Sequence, residues 1–221
     1  MSIVLSARDI HKVYHTSSGD VHALNGITCD FEKGLFYAII GRSGSGKSTL
    51  LHILGGLDRP TSGQVLIDGK DICAMRDEQM AIFRRRHMGF VFQQFNLLDE
   101  YSVRKNIHMP MLLDGRKPDP GFFEEVVNTL GLRDKLGKYP SELSGGEQQR
   151  VAIARTVIAK PELIIADEPT GNLDTKTGDE VLNLLTGCAA RFGQTLIMVT
   201  HNPEIAHKAD RIICIQDGAI R

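Results

Sequence analysis

Polar and apolar positions change rhythm along the chain. Ile3–Tyr14 and Val21–Phe31 hold alternating, β-branched segments on either side of Thr16-Ser17-Ser18-Gly19-Asp20, a turn composition. Leu35–Ile40 is short and almost wholly apolar, the pattern of a strand buried on both faces. Leu50, Leu51, Ile53 and Leu54 then give a helix one apolar side. Gly63–Ile67 reads as a strand ending in a hairpin-type turn at Asp68-Gly69, and Asp77–His87 reads as a helix. From Gly89 to about Ala159 helical patterns dominate: Val103–Leu113, Phe122–Leu130 and Glu147–Ala159, with a loop at Asp114–Gly121. After Pro161, strand and helix alternate: Leu163–Ala166, Thr177–Phe192, Thr195–Val199, Pro203–Ala209 and Ile212–Ile215. The pattern predicts an α/β chain with a mainly parallel sheet, an N-terminal antiparallel β portion and an inserted α-helical lobe. The lobe is expected at 91–158, within one domain whose core takes in 1–90 and 159–221.

Composition narrows the classes. The 221 residues suffice for a sizeable core, and a net charge of −1 gives no global pull toward nucleic acid or anionic lipid. Cys29, Cys73, Cys188 and Cys214 lie far apart, without a C-x-x-C pair, so neither a disulfide framework nor a zinc site is indicated. No leader-like pattern opens the chain, and no run approaches the ~18 apolar residues that span a bilayer. The expectation is a soluble chain whose membrane role, if it has one, runs through a partner. Arg84-Arg85-Arg86 is read as complementing the dipole at a helix end rather than as a nucleic-acid contact.

Chemistry concentrates in three stretches. Gly41-Arg42-Ser43-Gly44-Ser45-Gly46-Lys47-Ser48-Thr49 fits G-x-x-x-x-G-K-[ST] and lies between a predicted strand and a predicted helix. Glycines turn successive N–H groups toward one point, and a helix beginning near Gly46 adds its partial positive charge. Lys47 is placed for the β- and γ-phosphates of a nucleotide and Ser48 for Mg²⁺. Asp167-Glu168 ends a buried strand; Asp167 suits the water shell of Mg²⁺, and Glu168 suits an attacking water. Leu143-Ser144-Gly145-Gly146-Glu147-Gln148-Gln149-Arg150 opens a helix with a hydroxyl and small residues, a second anion site. Two such helix starts suit a chain that offers the second to another subunit's nucleotide.

With these stretches the chain resembles the ABC-type ATPases over essentially its whole length. Leu143–Gln148 looks like their signature motif. The resemblance implies that Tyr14 stacks on adenine. It implies that Gln93 contacts Mg²⁺ or the attacking water at a hinge to the helical lobe, with Gln94 a weaker competitor. It also implies that Gly171–Asp174 is the D-loop and His201 the switch histidine at the γ-phosphate. Ser144, Gly145, Gly146, Glu147 and Asp174 would meet the nucleotide of a second copy, giving a head-to-tail ATP-sandwich dimer. Gly89–Leu98 and Asp167–Asp174 are most similar to the group serving macrolide or peptide export, lipoprotein release and cell division. This implies an ATPase using ATP and Mg²⁺ beneath a membrane permease, at the cytoplasmic face of a bacterial-type cell membrane. The rival readings are a nucleic-acid-associated ATPase of the same superfamily, a cell-division regulator without cargo, and a kinase or GTPase. The last lacks an N-K-x-D guanine motif.

Overall fold

The computed structural model describes residues 2–17 and 19–221; the turn read at 16–20 includes Ser18, which lies outside the described residues. The chain forms two compact units, Met1–Arg84 with Thr195–Arg221, and Arg85–Gln194. The lobe expected at 91–158 lies inside the second.

In the first unit, β1 (Ile3–Thr16) and β2 (Gly19–Glu32) pair antiparallel, and β4 (Ser62–Ile67) pairs with the other edge of β1. Strict alternation fails in β1 because its register slips between Ala7 and Ile10, where Asp9 takes a left-handed φ of 48°. The Asp68-Gly69 turn returns the chain into β5 (Lys70–Asp71), with both residues at positive φ, 46° and 74°, as a type I′ hairpin requires. The second layer of this unit is built on β3 (Phe36–Ile40). It lies parallel to both β8 (Thr195–Val199) and β9 (Arg211–Gln216), and β10 (Ala219–Ile220) folds back antiparallel on β9. Ala38 and Ile39 are fully buried, as is the whole of β8, which is why these strands read as almost unbroken apolar runs. α1 (Lys47–Leu54) follows β3, and α7 (Pro203–His207) follows β8.

α2 (Asp77–His87) leads into the second unit, where β6 (Met88–Phe92) and β7 (Leu163–Asp167) pair parallel, Phe92 opposite Asp167. Strand β6 was not expected. Its five residues follow α2 directly and show no polar–apolar alternation of their own. Thr156 fixes it from the side, its hydroxyl donating to the Phe90 carbonyl at 2.7 Å. α3 (Val103–Leu113), α4 (Pro120–Thr129) and α6 (Thr175–Arg191) pack on α5 (Gly145–Val157), whose Val151, Ile153, Ala154 and Val157 are fully buried.

The arginine run does more than face a helix dipole. Arg84 donates to the Gly56 carbonyl at 2.6 Å. Arg85, Arg86 and Arg116 converge on the covered carboxylate of Asp114. Arg86, as the first cause, holds that carboxyl below its usual range. Among the described residues no helix is long and apolar enough to cross a membrane.

Candidate functional site

The first unit carries the glycine-rich loop expected to bind phosphate. Gly41 and Gly46 have φ of 155° and 100°. A Cβ at Gly41 would stand 2.2 Å from the Ile215 carbonyl oxygen, and one at Gly46 would stand 2.4 Å from that of Ala23. Only glycine fits where the loop is pressed this closely onto two strands. The Ser45 N–H donates to the Arg42 carbonyl at 3.2 Å, closing the loop. Gly46 caps α1 in a left-handed conformation and brings no side chain, so the first-turn N–H groups of α1 are presented by backbone alone. No acidic residue sits in that turn. Lys47 is 5% exposed and donates to the Arg42 carbonyl at 2.8 Å, which holds its ammonium over the loop.

Two supports of this loop carried no sequence signal. The Gly218 N–H donates to the Ser45 carbonyl at 3.1 Å, and Asn25 clasps the same turn, its backbone N–H on the Gly218 carbonyl and its amide on that of Asp217. The second support holds Tyr14. Its hydroxyl donates to Asp58 at 2.8 Å, and Lys12 bonds the other oxygen of that carboxylate at 2.7 Å with its ammonium 4.8 Å from the Tyr14 ring centre. Burial, then the Asp58 carboxylate, pushes the Tyr14 hydroxyl up, against a smaller opposing effect of Thr49 in the loop. Tyr14 stays 39% exposed, which suits stacking on a flat base. His201 leaves the end of β8 in register with the loop: Val199 pairs with Ile39, and the Thr200 N–H donates to the Ile39 carbonyl at 3.3 Å. His201 and Gly41 thus follow neighbouring strand ends.

The second unit carries the carboxylates and the signature stretch. Because Phe92 pairs with Asp167, Gln93 and Glu168 emerge side by side from β6 and β7. Glu168 takes a left-handed φ of 44°, a strained backbone for a residue with a side chain. Gln93 is held by Asn172: its amide donates to the Asn172 side-chain oxygen at 2.9 Å, and the Asn172 amide donates back to the Gln93 carbonyl at 3.1 Å. Asp174 caps α6, accepting the Thr177 N–H at 3.1 Å. Thr177 is also the main cause holding its carboxyl below the usual range.

Ser144 and Glu147 close a capping box at the start of α5, behind Gly145 and Gly146. The Ser144 N–H donates to Glu147 at 2.8 Å, and the Glu147 N–H donates to the serine hydroxyl at 3.3 Å. The Ser144 N–H, followed by Lys135 at 3.0 Å, holds the Glu147 carboxyl at about 2. The second helix start is therefore not bare like that of α1: an ionised carboxylate already sits there, balanced by Lys135.

Comparison with known proteins follows this geometry. The model of the ABC transporter family matches residues 24–171. An uncharacterized ABC transporter ATP-binding protein of Thermotoga maritima is 46% identical over 222 residues, covering 100% of this chain and 94% of that protein. The lipoprotein-releasing system ATP-binding protein LolD of Syntrophus aciditrophicus is 44% identical, covering 98% of each chain. The macrolide export ATP-binding/permease protein MacB of Chlorobaculum tepidum is 46% identical over 96% of this chain but only 33% of its own length. Among solved structures, the dimeric post-hydrolysis state of the ATP-binding cassette MJ0796, bound to ADP and Pi, superposes with a TM-score of 0.87 at 36% identity, covering 98% of this chain and 96% of that one. The antiparallel N-terminal sheet, the parallel strands and the helices expected from the sequence are those of this fold. The chain belongs to the ABC transporter family and is an ATP-hydrolysing subunit of that class.

Proposed function

We propose that two copies of this chain close head to tail on two ATP molecules and, by closing and opening, drive a membrane permease at the cytoplasmic face of the cell membrane. The observation that supports this most is the presence of two helix starts of phosphate-binding composition in one chain. One is built from backbone and Lys47, the other from Ser144, Gly145 and Gly146. In this reading Gly41–Thr49 cradles the phosphates, Tyr14 stacks on adenine, and Ser144 to Glu147 with Asp174 faces the nucleotide of the other copy. Lys47 and His201 stabilise charge on the transferring phosphate, and Glu168 takes a proton from the attacking water.

Mg²⁺ suits the chemistry of the oxygens this reading assigns to it: the Ser48 hydroxyl, the Asp167 carboxylate and the Gln93 side-chain carbonyl are hard donors, and water and nucleotide phosphate would be its other ligands. When bound, it neutralises phosphate charge.

The loop after Gln93 supports docking of a partner. Asn106, fully buried, ties down the backbone of Leu98, Tyr101 and Ser102, and Arg155 holds the carbonyls of Phe95 and Asn96. Leu98 and Tyr101 nevertheless face outward from this rigid loop. The names of the relatives favour export or membrane release as the work performed. The test is co-purification of the chain with an integral membrane protein and stimulation of ATP hydrolysis by it. Stimulation by DNA or RNA instead would favour the nucleic-acid-associated alternative.

A further inference from the structure

Gln149 is fully buried in the second turn of α5, the fifth residue of that helix. A buried glutamine gives up side-chain freedom and hydration that leucine or methionine would not. Its amide nitrogen donates to the Phe92 carbonyl at 3.1 Å and also to the Pro169 carbonyl, while its oxygen is buried without a hydrogen-bond partner. Phe92 immediately precedes Gln93, and Pro169 immediately follows Glu168. One amide thus joins the ends of β6 and β7 to the helix that begins at Ser144. The start of that helix is close-packed as well, since a Cβ at Gly146 would stand 2.4 Å from a Thr177 methyl carbon in α6.

We infer that Gln149 is a positioning residue that couples the two ATP sites of the dimer. ATP of the second copy, engaging Ser144, shifts α5, and Gln149 carries that shift into the backbone that sets Gln93 and Glu168 of its own chain. This rests on the proposed contact of Ser144 with the second copy's ATP. Gln149 touches no nucleotide and acts through those two backbone segments.

The experiment is steady-state ATP hydrolysis by the full chain as wild type, Gln149→Met and Gln149→Glu. It is run across ATP concentration and from pH 8 to 6, alongside binding of a fluorescent ATP analogue and thermal melts. Methionine fills the space but donates nothing. Its kcat is expected to fall about tenfold or more, as for loss of a buried hydrogen-bonded link. Nucleotide affinity should stay within about threefold, since binding is not what the link serves. The Hill coefficient for ATP should drop to about 1, as expected of uncoupled sites. Glutamate opposes two carbonyls when ionised and donates one hydrogen bond when protonated. Its rate relative to wild type should therefore rise as pH falls, while that of Gln149→Met stays flat.

A Gln149→Met enzyme with wild-type kcat and Hill coefficient overturns the inference. So does parallel loss of ATP binding and rate, or a pH-independent ratio for Gln149→Glu. The Glu arm decides the matter if the Met variant does not fold. A wild-type chain that hydrolyses no ATP overturns the functional reading itself, and the inference with it.

Discussion

Gly46→Ala and Gly44→Ala make a matched pair for testing how the phosphate loop is held. Both glycines sit at positive φ, 100° and 76°, so either alanine pays a backbone strain of about 1–2 kcal/mol. They differ in what the new methyl meets. At Gly44 there is nothing within 4 Å, whereas at Gly46 the Ala23 carbonyl oxygen lies at 2.4 Å. Since real Cβ atoms keep beyond 3.0 Å, the loop must retreat from β2 by roughly half an ångström or more. The N–H groups of the first turn of α1 then lose their aim. Forfeiting one charge-assisted hydrogen bond to phosphate, worth about 1.5–3 kcal/mol, weakens ATP binding by about tenfold to a hundredfold. The assay is calorimetric titration with ATP plus a thermal melt. Gly44→Ala should lower Tm by only a few degrees, at about 2–4 °C per kcal/mol for a chain of this size, and lose less ATP affinity than Gly46→Ala. Gly46→Ala should melt lower still and bind at least about tenfold more weakly. Equal ATP affinities for the two variants would refute the argument that close packing on Ala23 aims the loop.

Three further outcomes follow from other contacts. Asp58→Ala removes the carboxylate that holds both the Tyr14 hydroxyl and Lys12, so KM for ATP should rise a few-fold with kcat unchanged, read from a steady-state ATPase titration. Glu147→Ala breaks the capping box and should cost about 1 kcal/mol at pH 7 by urea unfolding. Because the folded carboxyl titrates at about 2, below its ordinary value of 4.5, the stability difference from wild type should persist above pH 5 and shrink as pH falls toward 2. Asn172→Ala frees the Gln93 amide, so kcat should fall several-fold while binding of a fluorescent ATP analogue is retained.

Much of this could be read along the chain because the signals are local. The Asp68-Gly69 turn, the helix start at Ser144 and the glycine loop before α1 are each set by residues within a few positions of one another. β6 escaped because five apolar residues following a helix have no period of their own. Tyr14 shows the other limit. Its place near a base was implied by resemblance, but Lys12 and Asp58 became visible only when β1 was laid beside the end of α1, a contact spanning 44 residues from Tyr14 to Asp58. Likewise the Gln93–Asn172 pair and the two bonds of Gln149 depend on how strand ends meet helices. The arginine run was read as a helix end because its acceptors, Gly56 and Asp114, lie 28 or more residues away in sequence.

The central claim is the two-copy ATP sandwich, and light scattering on Glu168→Gln tests it most directly. With ATP and Mg²⁺ the variant should run at twice its monomer mass of 24.4 kDa and hold uncleaved ATP. Without ATP, or with Ser144→Arg added, it should stay monomeric. A Glu168→Gln protein that binds ATP yet remains monomeric, or that hydrolyses ATP at the wild-type rate, would contradict the account.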